Sequence, residues 1–244
     1  MSTLIDYYLT PASPFVYLGH ARFVDLARAN GASIAVKPVD FGRVLAASGG
    51  VPLAQRPRQR QAYRLVELAR WSAFLGVPLH LHPRHFPVQA GLASRWILAA
   101  SEQGESLALD LVGALGRALW AEERDIADKA TLAAIATSLR ADVAALEERV
   151  DAPDIATRFD ALTQEAIDRA CSACRRTSQR AKCSSGRTAS TSWPANWQNS
   201  AFWRRGPHRL GALRQSGAEA DSRVRARSAF WRKASRSRRP DGRS

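Results

Sequence analysis

Near the C-terminus, three cysteines and one histidine are of residue types that can bind a metal ion. Cys171 and Cys174 have the C-x-x-C spacing, and Cys183 and His208 could complete a set of four ligands. Structural zinc sites usually place their ligands in regular, closely spaced knuckles. The spacing here is irregular, so we expect no metal site.

Ser13 and Pro14 mark the start of the first helix. Serine is a preferred N-cap residue, and proline is favoured at the first helical position. Apolar residues recur at helical spacing from Phe15 to Leu26, and Asn30-Gly31 provides a stop signal. Segments 3–9 and 33–39 on either side are predicted strands. A strand–helix–strand order over so few residues predicts a βαβ unit with parallel strands.

The middle of the chain is predicted to be helical. The predicted helices span residues 57–75, 91–102, 106–120, 128–139, 142–150 and 160–169. A sheet of two strands is too small to be stable alone, so the fold needs an element that returns to the sheet after residue 169. The sequence that follows has no helical or strand period, and its composition is typical of disorder apart from its four tryptophans.

Charge divides the chain into two parts. Residues 1–169 hold 18 Lys and Arg against 19 Asp and Glu, whereas residues 170–244 hold 18 against 3. So sharp a difference predicts two segments of different origin, a folded body and a basic tail. The tail would favour non-specific, salt-sensitive binding to nucleic acid, and we expect no specific nucleic-acid partner.

The N-terminus and the hydropathy of the chain argue against export and membrane insertion. No apolar run is long enough to span a bilayer, and the first residues lack the pattern of a secretory signal. Residues 1–169 contain no cysteine, which is typical of proteins that do not depend on disulfides. We therefore expect a cytoplasmic protein.

Several short motifs follow one another in the body. They are Asp6-Tyr7-Tyr8, Ser13-Pro14-Phe15 with Tyr17-Leu18, Lys37-Pro38, ASGGVP over residues 47–52, Tyr63-Arg64 with Glu67 and Arg70-Trp71, Gly76-Val77-Pro78-Leu79, and His85-Phe86-Pro87-Val88. In this order they resemble the 2-hydroxychromene-2-carboxylate isomerase family, a glutathione-dependent group related to DsbA and to kappa-class glutathione transferases. The resemblance extends from residue 4 to about residue 169.

The resemblance implies a thioredoxin-like α/β fold with an all-helical insertion over about residues 45–169. Dithiol relatives carry C-x-x-C at the start of the first helix, where the helix dipole lowers the thiol pKa. This chain has Ser13-Pro14-Phe15-Val16 there, so glutathione is implied as the source of sulfur. Ser13 is then the catalytic residue that stabilises the thiolate, and Ser13, Pro14 and Phe15 bind glutathione.

The reaction implied by the resemblance interconverts 2-hydroxychromene-2-carboxylate and trans-o-hydroxybenzylidenepyruvate in the degradation of naphthalene-type aromatics. The thiolate adds to the enone, the former double bond rotates, and the thiolate leaves. We expect Lys37 to meet the substrate carboxylate, and Trp71 and Phe86 to flank the aromatic ring. A solvated lysine at the end of a strand would explain Lys37 equally well, and packing in the core explains Trp71 and Phe86 slightly better. The family resemblance also suggests a homodimer.

Two residues depart from the family pattern. Gly50 and Gln89 stand where the family has asparagine, so the polar groups expected around the substrate differ here. We retain both positions as substrate-binding candidates. The departures leave the identity of the substrate open.

The basic tail is explained by a shift of reading frame near the codon of Arg169. Re-read in the other frame, residues 170–192 can spell GVFGVPTYVATGEMFFGQDRLDF, and a stop codon can fall at the Asn199/Ser200 junction. This string resembles the proline loop, two strands and helix start that end the family fold. In residues 170–244 as they stand, we expect the C-terminal ββα half to be lost, the tail to be disordered and the chain to be poorly folded or inactive.

Two other functions fit the sequence less well. The body could be a kappa-like glutathione transferase or another DsbA-family protein without dithiol activity, which would conjugate a model electrophile and leave the chromene unchanged. The tail could bind nucleic acid without any enzymatic role.

Overall fold

A three-stranded sheet lies at the centre of the fold. The computed structural model describes residues 3–171 and the backbone of residues 175–179. The strands are β1 (Leu4–Leu9), β2 (Ser33–Pro38) and β3 (Arg175–Gln179), in the order β2-β1-β3. β1 pairs with β2 in parallel and with β3 in antiparallel orientation.

Helix α1 (Pro14–Ala29) connects β1 to β2, which confirms the predicted βαβ unit. The helix begins as expected, because the Ser13 Oγ accepts a hydrogen bond from the Val16 N–H at 3.3 Å. It ends at Asn30, and Gly31 turns the chain with a positive φ of 62°.

The elements between β2 and β3 are all helices. The remaining helices are α2 (Phe41–Ala47), α3 (Arg58–Leu75), α4 (Gly91–Gln103), α5 (Glu105–Trp120), α6 (Lys129–Ser138), α7 (Val143–Val150) and α8 (Pro153–Asp168), with a short 3-10 helix at Leu53–Gln55. No helix of residues 3–171 is both long enough and apolar enough to cross a bilayer.

Most of the predicted helices are confirmed, with two differences. α8 begins at Pro153, seven residues before the predicted start at Asp160, because Pro153 occupies the first helical position. α2 was not predicted from the sequence. Its start is stabilised by Asp40, whose carboxylate accepts hydrogen bonds from the Gly42 and Arg43 N–H groups.

The two faces of the sheet are covered by different helices. Neighbouring residues of a strand point to opposite faces. Tyr7 packs against Phe23 and His20 of α1, whereas Tyr8 packs in a cluster with Ala166 of α8. The sheet is therefore enclosed by α1 on one side and by α8 on the other.

Helix α5 packs against α1 and also contacts the sheet, since the Ile34 N–H of β2 donates to the Glu105 carboxylate at 3.0 Å. Leu115, Leu119 and Trp120 of α5 are fully buried. At Gly116 a Cβ atom would lie 3.0 Å from the Tyr17 ring, so glycine permits the close approach of α1 and α5.

A network of charges joins α8 to the sheet. The Lys37 Nζ lies 3.1 Å from Asp6 and 3.0 Å from Glu165. The Arg169 guanidinium contacts the same two carboxylates, and the Tyr8 hydroxyl donates to Glu165 at 2.8 Å. Apart from Arg169, which is exposed, these side chains are partly or fully buried, so their mutual compensation matters more than it would on an open surface.

The prediction that no strand after residue 169 joins the sheet is wrong for one strand. Arg175–Gln179 form β3 and pair with β1 in the register Ile5↔Gln179 to Leu9↔Arg175. Strand pairing uses backbone N–H and C=O groups, so the free edge of β1 can accept a segment whose side chains show no strand pattern. The second strand and the last helix of the family's C-terminal ββα half would fall outside the described residues. The prediction of a disordered tail also concerns residues outside them.

The Glu165 network predicts an acid-dependent stability. Burial raises the pKa of Glu165, but hydrogen bonds from Lys37 and Tyr8 and the charges of Lys37 and Arg169 lower it to a net value below the ordinary one. The stabilisation is then complete above the unfolded pKa of about 4.3 and is lost as the pH falls through the lower folded value. We expect Glu165→Gln to cost about 1–3 kcal/mol at pH 7.

Thermal melts of the parent and of Glu165→Gln between pH 7 and pH 3 measure this effect. The difference in Tm should shrink as the pH falls. Glu148→Gln is the matched control, because Glu148 is exposed and has no ion pair with a described residue. A pH-independent difference would show that Glu165 stabilises the fold through packing instead.

Candidate functional site

Ser13 lies where the carboxyl end of β1 meets the first turn of α1. The residue is partly exposed, and its backbone N–H donates to the Thr10 carbonyl at 3.1 Å. Its Oγ accepts from Val16 at 3.3 Å, while its own O–H has no acceptor among residues 3–171. The hydroxyl can therefore donate to a ligand without breaking the N-cap.

The next two residues complete the start of α1. Pro14 has no N–H to donate and is buried, whereas Phe15 is partly exposed. The N–H groups of the first helical turn carry the positive end of the helix dipole. The three residues predicted to bind glutathione thus lie together at an N-terminus suited to an anion.

The second turn of α1 is attached to the segment that follows α3. The Tyr17 hydroxyl donates to the Pro78 carbonyl at 2.8 Å. Burial raises the pKa of Tyr17, so this hydroxyl stays protonated over the physiological range. Further along the same segment, the His80 N–H donates to the carbonyl of Trp120, the last residue of α5, at 2.7 Å.

His20 lies behind this surface and remains neutral. Its Nε2 donates to the Leu109 carbonyl at 2.9 Å, which leaves Nδ1 to accept from the Tyr7 hydroxyl at 3.4 Å. Burial lowers the pKa of His20. This histidine thus connects α1, α5 and β1 and has no path to a ligand.

Lys37 lies on the face of the sheet that α8 covers. Its side chain is 17% exposed, and its ammonium group pairs with Asp6 and Glu165. A substrate carboxylate at this ammonium would have to share it with two protein carboxylates. The predicted substrate role of Lys37 stays a prediction.

Gly50 packs directly against the side chain of Leu45. A Cβ atom at position 50 would lie 2.9 Å from Leu45 Cγ and 3.2 Å from the Leu45 carbonyl oxygen. Any larger residue at position 50 therefore requires Leu45 to move. Gln89, the other departure, is exposed after the cis Phe86-Pro87 peptide bond.

The two aromatic candidates have different surroundings. Trp71 is 47% exposed and forms an edge-to-face pair with Phe74, with ring centres 5.8 Å apart, so the alternative of a core residue is wrong for Trp71. Phe86 is partly buried and packs on Trp120, with ring centres 4.8 Å apart. Their predicted contacts with substrate stay predictions.

Sequence reasoning passed over Arg64, which lies on the ring of Phe86. Its Cζ atom is 5.3 Å from the centre of that ring and 5.9 Å from the centre of the Trp120 ring. Tyr63-Arg64 was noted as a motif but given no role. A motif alone could not show that a side chain from α3 reaches rings from a later loop and from α5.

No group of three or more potential metal ligands occurs in the part of the chain that the structure describes. Of the four residues considered for zinc, Cys171 is buried in the cluster beside Tyr8 and Ala166. The other three lie outside the described residues.

The sequence is similar to characterised bacterial isomerases. The 2-hydroxychromene-2-carboxylate isomerase of Pseudomonas putida is 28% identical over 167 residues, covering 68% of this chain and 80% of that enzyme. The enzyme of the same name from Sphingobium xenophagum is 29% identical over 154 residues, covering 63% of this chain and 76% of that enzyme.

Solved structures and a family model agree with this similarity. A structure of 2-hydroxychromene-2-carboxylate isomerase has a TM-score of 0.63 and 25% identity, covering 74% of this chain and 87% of that protein. The cytosolic disulfide reductase DsbM from Pseudomonas aeruginosa shares the fold at 14% identity, with a TM-score of 0.59 and coverage of 82% and 97%. The model of the DSBA-like thioredoxin domain matches residues 4–172, and the chain therefore belongs to that family.

Proposed function

We propose that this protein is a glutathione-dependent isomerase acting on 2-hydroxychromene-2-carboxylate or a closely similar aromatic carboxylate. The observation that carries the proposal is the hydroxyl group of Ser13. It caps α1, is partly exposed, and keeps its own hydrogen available for a ligand. The similarity to enzymes named for this reaction supports the choice of isomerisation.

The start of α1 suits a thiolate ligand. Ser13 replaces the thiol of dithiol relatives, and Val16 replaces the second one, so the chain offers a hydrogen-bond donor and no sulfur at this position. Ser13, Pro14 and Phe15 would hold the sulfur end of glutathione. When bound, glutathione supplies a nucleophile that adds reversibly to a conjugated double bond.

In this mechanism Ser13 and the start of α1 stabilise the thiolate, and Phe86 contacts the substrate. The Ser13 hydroxyl donates a hydrogen bond to the sulfur atom, and the helix dipole favours its negative charge. Both effects lower the thiol pKa and keep the thiolate ready at neutral pH. The Phe86 ring, held against Trp120, offers an apolar face to an aromatic substrate.

A kappa-like glutathione transferase is the second candidate. The observation that favours it is the contact between Leu45 and Gly50, which makes this part of the loop apolar where the isomerases have an asparagine. Such a change would favour an apolar electrophile over a polar substrate. Conjugation of a model electrophile, without turnover of the chromene, would select this function.

The position of β3 supports the shift of reading frame. In the other frame the codons of residues 175–179 can spell Pro-Thr-Tyr-Val-Ala instead of Arg-Arg-Thr-Ser-Gln. Thr, Tyr and Val have high strand propensity. The re-read sequence therefore offers a strand, after a connection of suitable length, at the residues that pair with β1.

Replacing Ser13 tests the proposed chemistry. In an active preparation, Ser13→Ala should lower kcat by about 10²–10³-fold, the usual effect of removing one preorganised donor to a developing or bound anion. The pKa of bound glutathione, followed by thiolate absorbance against pH, should rise. Ser13→Ala also removes the N-cap, at a cost of about 1 kcal/mol in stability.

Ser13→Asp separates the two roles of the residue. Aspartate is a good N-cap, so the Tm should stay near that of the parent, but its charge repels a thiolate and activity should be lost. If both variants isomerise the chromene at the parent rate, Ser13 is a structural cap only.

Gly50→Asn tests the contact with Leu45. The added side chain should lower stability by about 1–3 kcal/mol because Leu45 must move. Leu45→Ala combined with Gly50→Asn should regain part of that loss. Gly49→Asn is the control, since position 49 is open and asparagine tolerates its positive φ of 69°. Equal Tm values for the two single asparagine variants would contradict the prediction.

The frame shift is tested by a chain that joins residues 1–169 to the re-read sequence. This restored chain should have a higher Tm and a faster glutathione-dependent turnover than the 244-residue chain, because it offers the proline loop and the strand-forming sequence of the family. Sequencing the source DNA across the codons of residues 168–200 checks the same idea independently. Equal activity of the two chains would show that the basic tail belongs to a working enzyme.

A further inference from the structure

Arg64 carries a positive charge that no described residue neutralises. The side chain is partly buried, yet no carboxylate among residues 3–171 pairs with it. Burial lowers the pKa of its guanidinium group, and the nearby charge of Arg56 lowers it further. Arg43, Arg149 and Arg169, in contrast, all contact carboxylates.

Aromatic rings hold Arg64 in place. The guanidinium Cζ lies 5.3 Å from the Phe86 ring centre and 5.9 Å from that of Trp120, both within cation–π range. Rings stabilise a cation without neutralising its charge. The planar donors of Arg64 thus stay free for an anion, which arginine binds well through two parallel hydrogen bonds.

The same cluster contains a second donor without an acceptor. The indole N–H of Trp120 is fully buried and makes no hydrogen bond within the described residues. Burying a donor in this state costs free energy. The accessible part of the cluster therefore combines a cation that no carboxylate of residues 3–171 pairs with and an aromatic face, a combination suited to an aromatic carboxylate.

This cluster is attached to the helix that carries Ser13. The loop that holds Phe86 follows Gly76, and in it the Pro78 carbonyl accepts a hydrogen bond from the Tyr17 hydroxyl on α1. Tyr17 lies one helical turn beyond Ser13, and its ring contacts α5 at Gly116, one turn before Trp120. The contacts of Tyr17 with Pro78 and with Gly116 thus connect α1 to the loop and to the helix that form the Arg64 cluster.

We propose that Arg64, supported by Phe86 and Trp120, binds the carboxylate of the aromatic substrate. This assignment rests on the proposed function for the choice of substrate, and it gives to Arg64 the role that the sequence suggested for Lys37. Lys37 is compensated by two carboxylates of the protein, whereas Arg64 offers its charge to a ligand. Arg64 thereby selects substrates that carry an anion beside an aromatic ring.

Direct binding to the full 244-residue chain tests the proposal without any turnover. The probes are trans-cinnamate and its neutral amide, measured by isothermal titration calorimetry. The parent should bind the anion at least about tenfold more tightly than the amide, the factor expected from charge-assisted hydrogen bonds. Arg64→Met should abolish that preference, because methionine keeps an apolar stem against the rings but carries no charge.

Two further variants make the result specific. Arg64→Gln should behave like Arg64→Met, and either one suffices if the other folds poorly by circular dichroism. Arg60→Gln is the matched control, since Arg60 is exposed on the same helix one turn earlier, and it should keep the tenfold preference.

The outcomes also separate this proposal from the proposed function. A preference that Arg64→Met removes, when the restored chain with the re-read C-terminal sequence also isomerises nothing, would support the carboxylate site and count against the isomerase. A parent without preference for cinnamate, or an Arg64→Met variant that keeps it, would overturn the role of Arg64 whether or not isomerisation occurs.

Discussion

The pairing of β1 on both of its edges is the constraint on which the rest of the structure depends. One edge binds β2 and the other binds β3, so the strand is central to the sheet. Its neighbouring residues Tyr7 and Tyr8 point to opposite faces and contact α1 and the α8 cluster, respectively. Its carboxyl end leads directly to Ser13. The position of the candidate site is therefore set by the backbone of one strand.

The fold accommodates its partly buried cations in two different ways. Lys37 is neutralised by Asp6 and Glu165, which makes it part of the attachment of α8 to the sheet. Arg64 is held by the rings of Phe86 and Trp120 and retains its charge. A compensated charge contributes to stability and has little left for a ligand, whereas an uncompensated one is costly until an anion arrives.

The strand at residues 175–179 bears on both interpretations of the C-terminal sequence, a genuine basic tail and an out-of-frame one. Backbone hydrogen bonding does not depend on side-chain identity, so Arg-Arg-Thr-Ser-Gln can occupy the edge of β1. A strand of this kind adds hydrogen bonds to the sheet but not the apolar side chains that a family strand would contribute to the core. The body of the chain matches the DSBA-like thioredoxin domain over residues 4–172.

The βαβ unit, the helix start at Ser13 and most of the later helices follow from the sequence alone, because hydrophobic period and capping residues act over a few neighbouring positions. Sequence reasoning missed α2, whose few residues are too short to show a period. Three contacts are visible only in the folded protein: Lys37 pairs with carboxylates, Gly50 lies against Leu45, and Arg64 rests on two rings. These contacts join residues far apart in the chain, and local sequence patterns carry no information about which distant side chains the fold brings together.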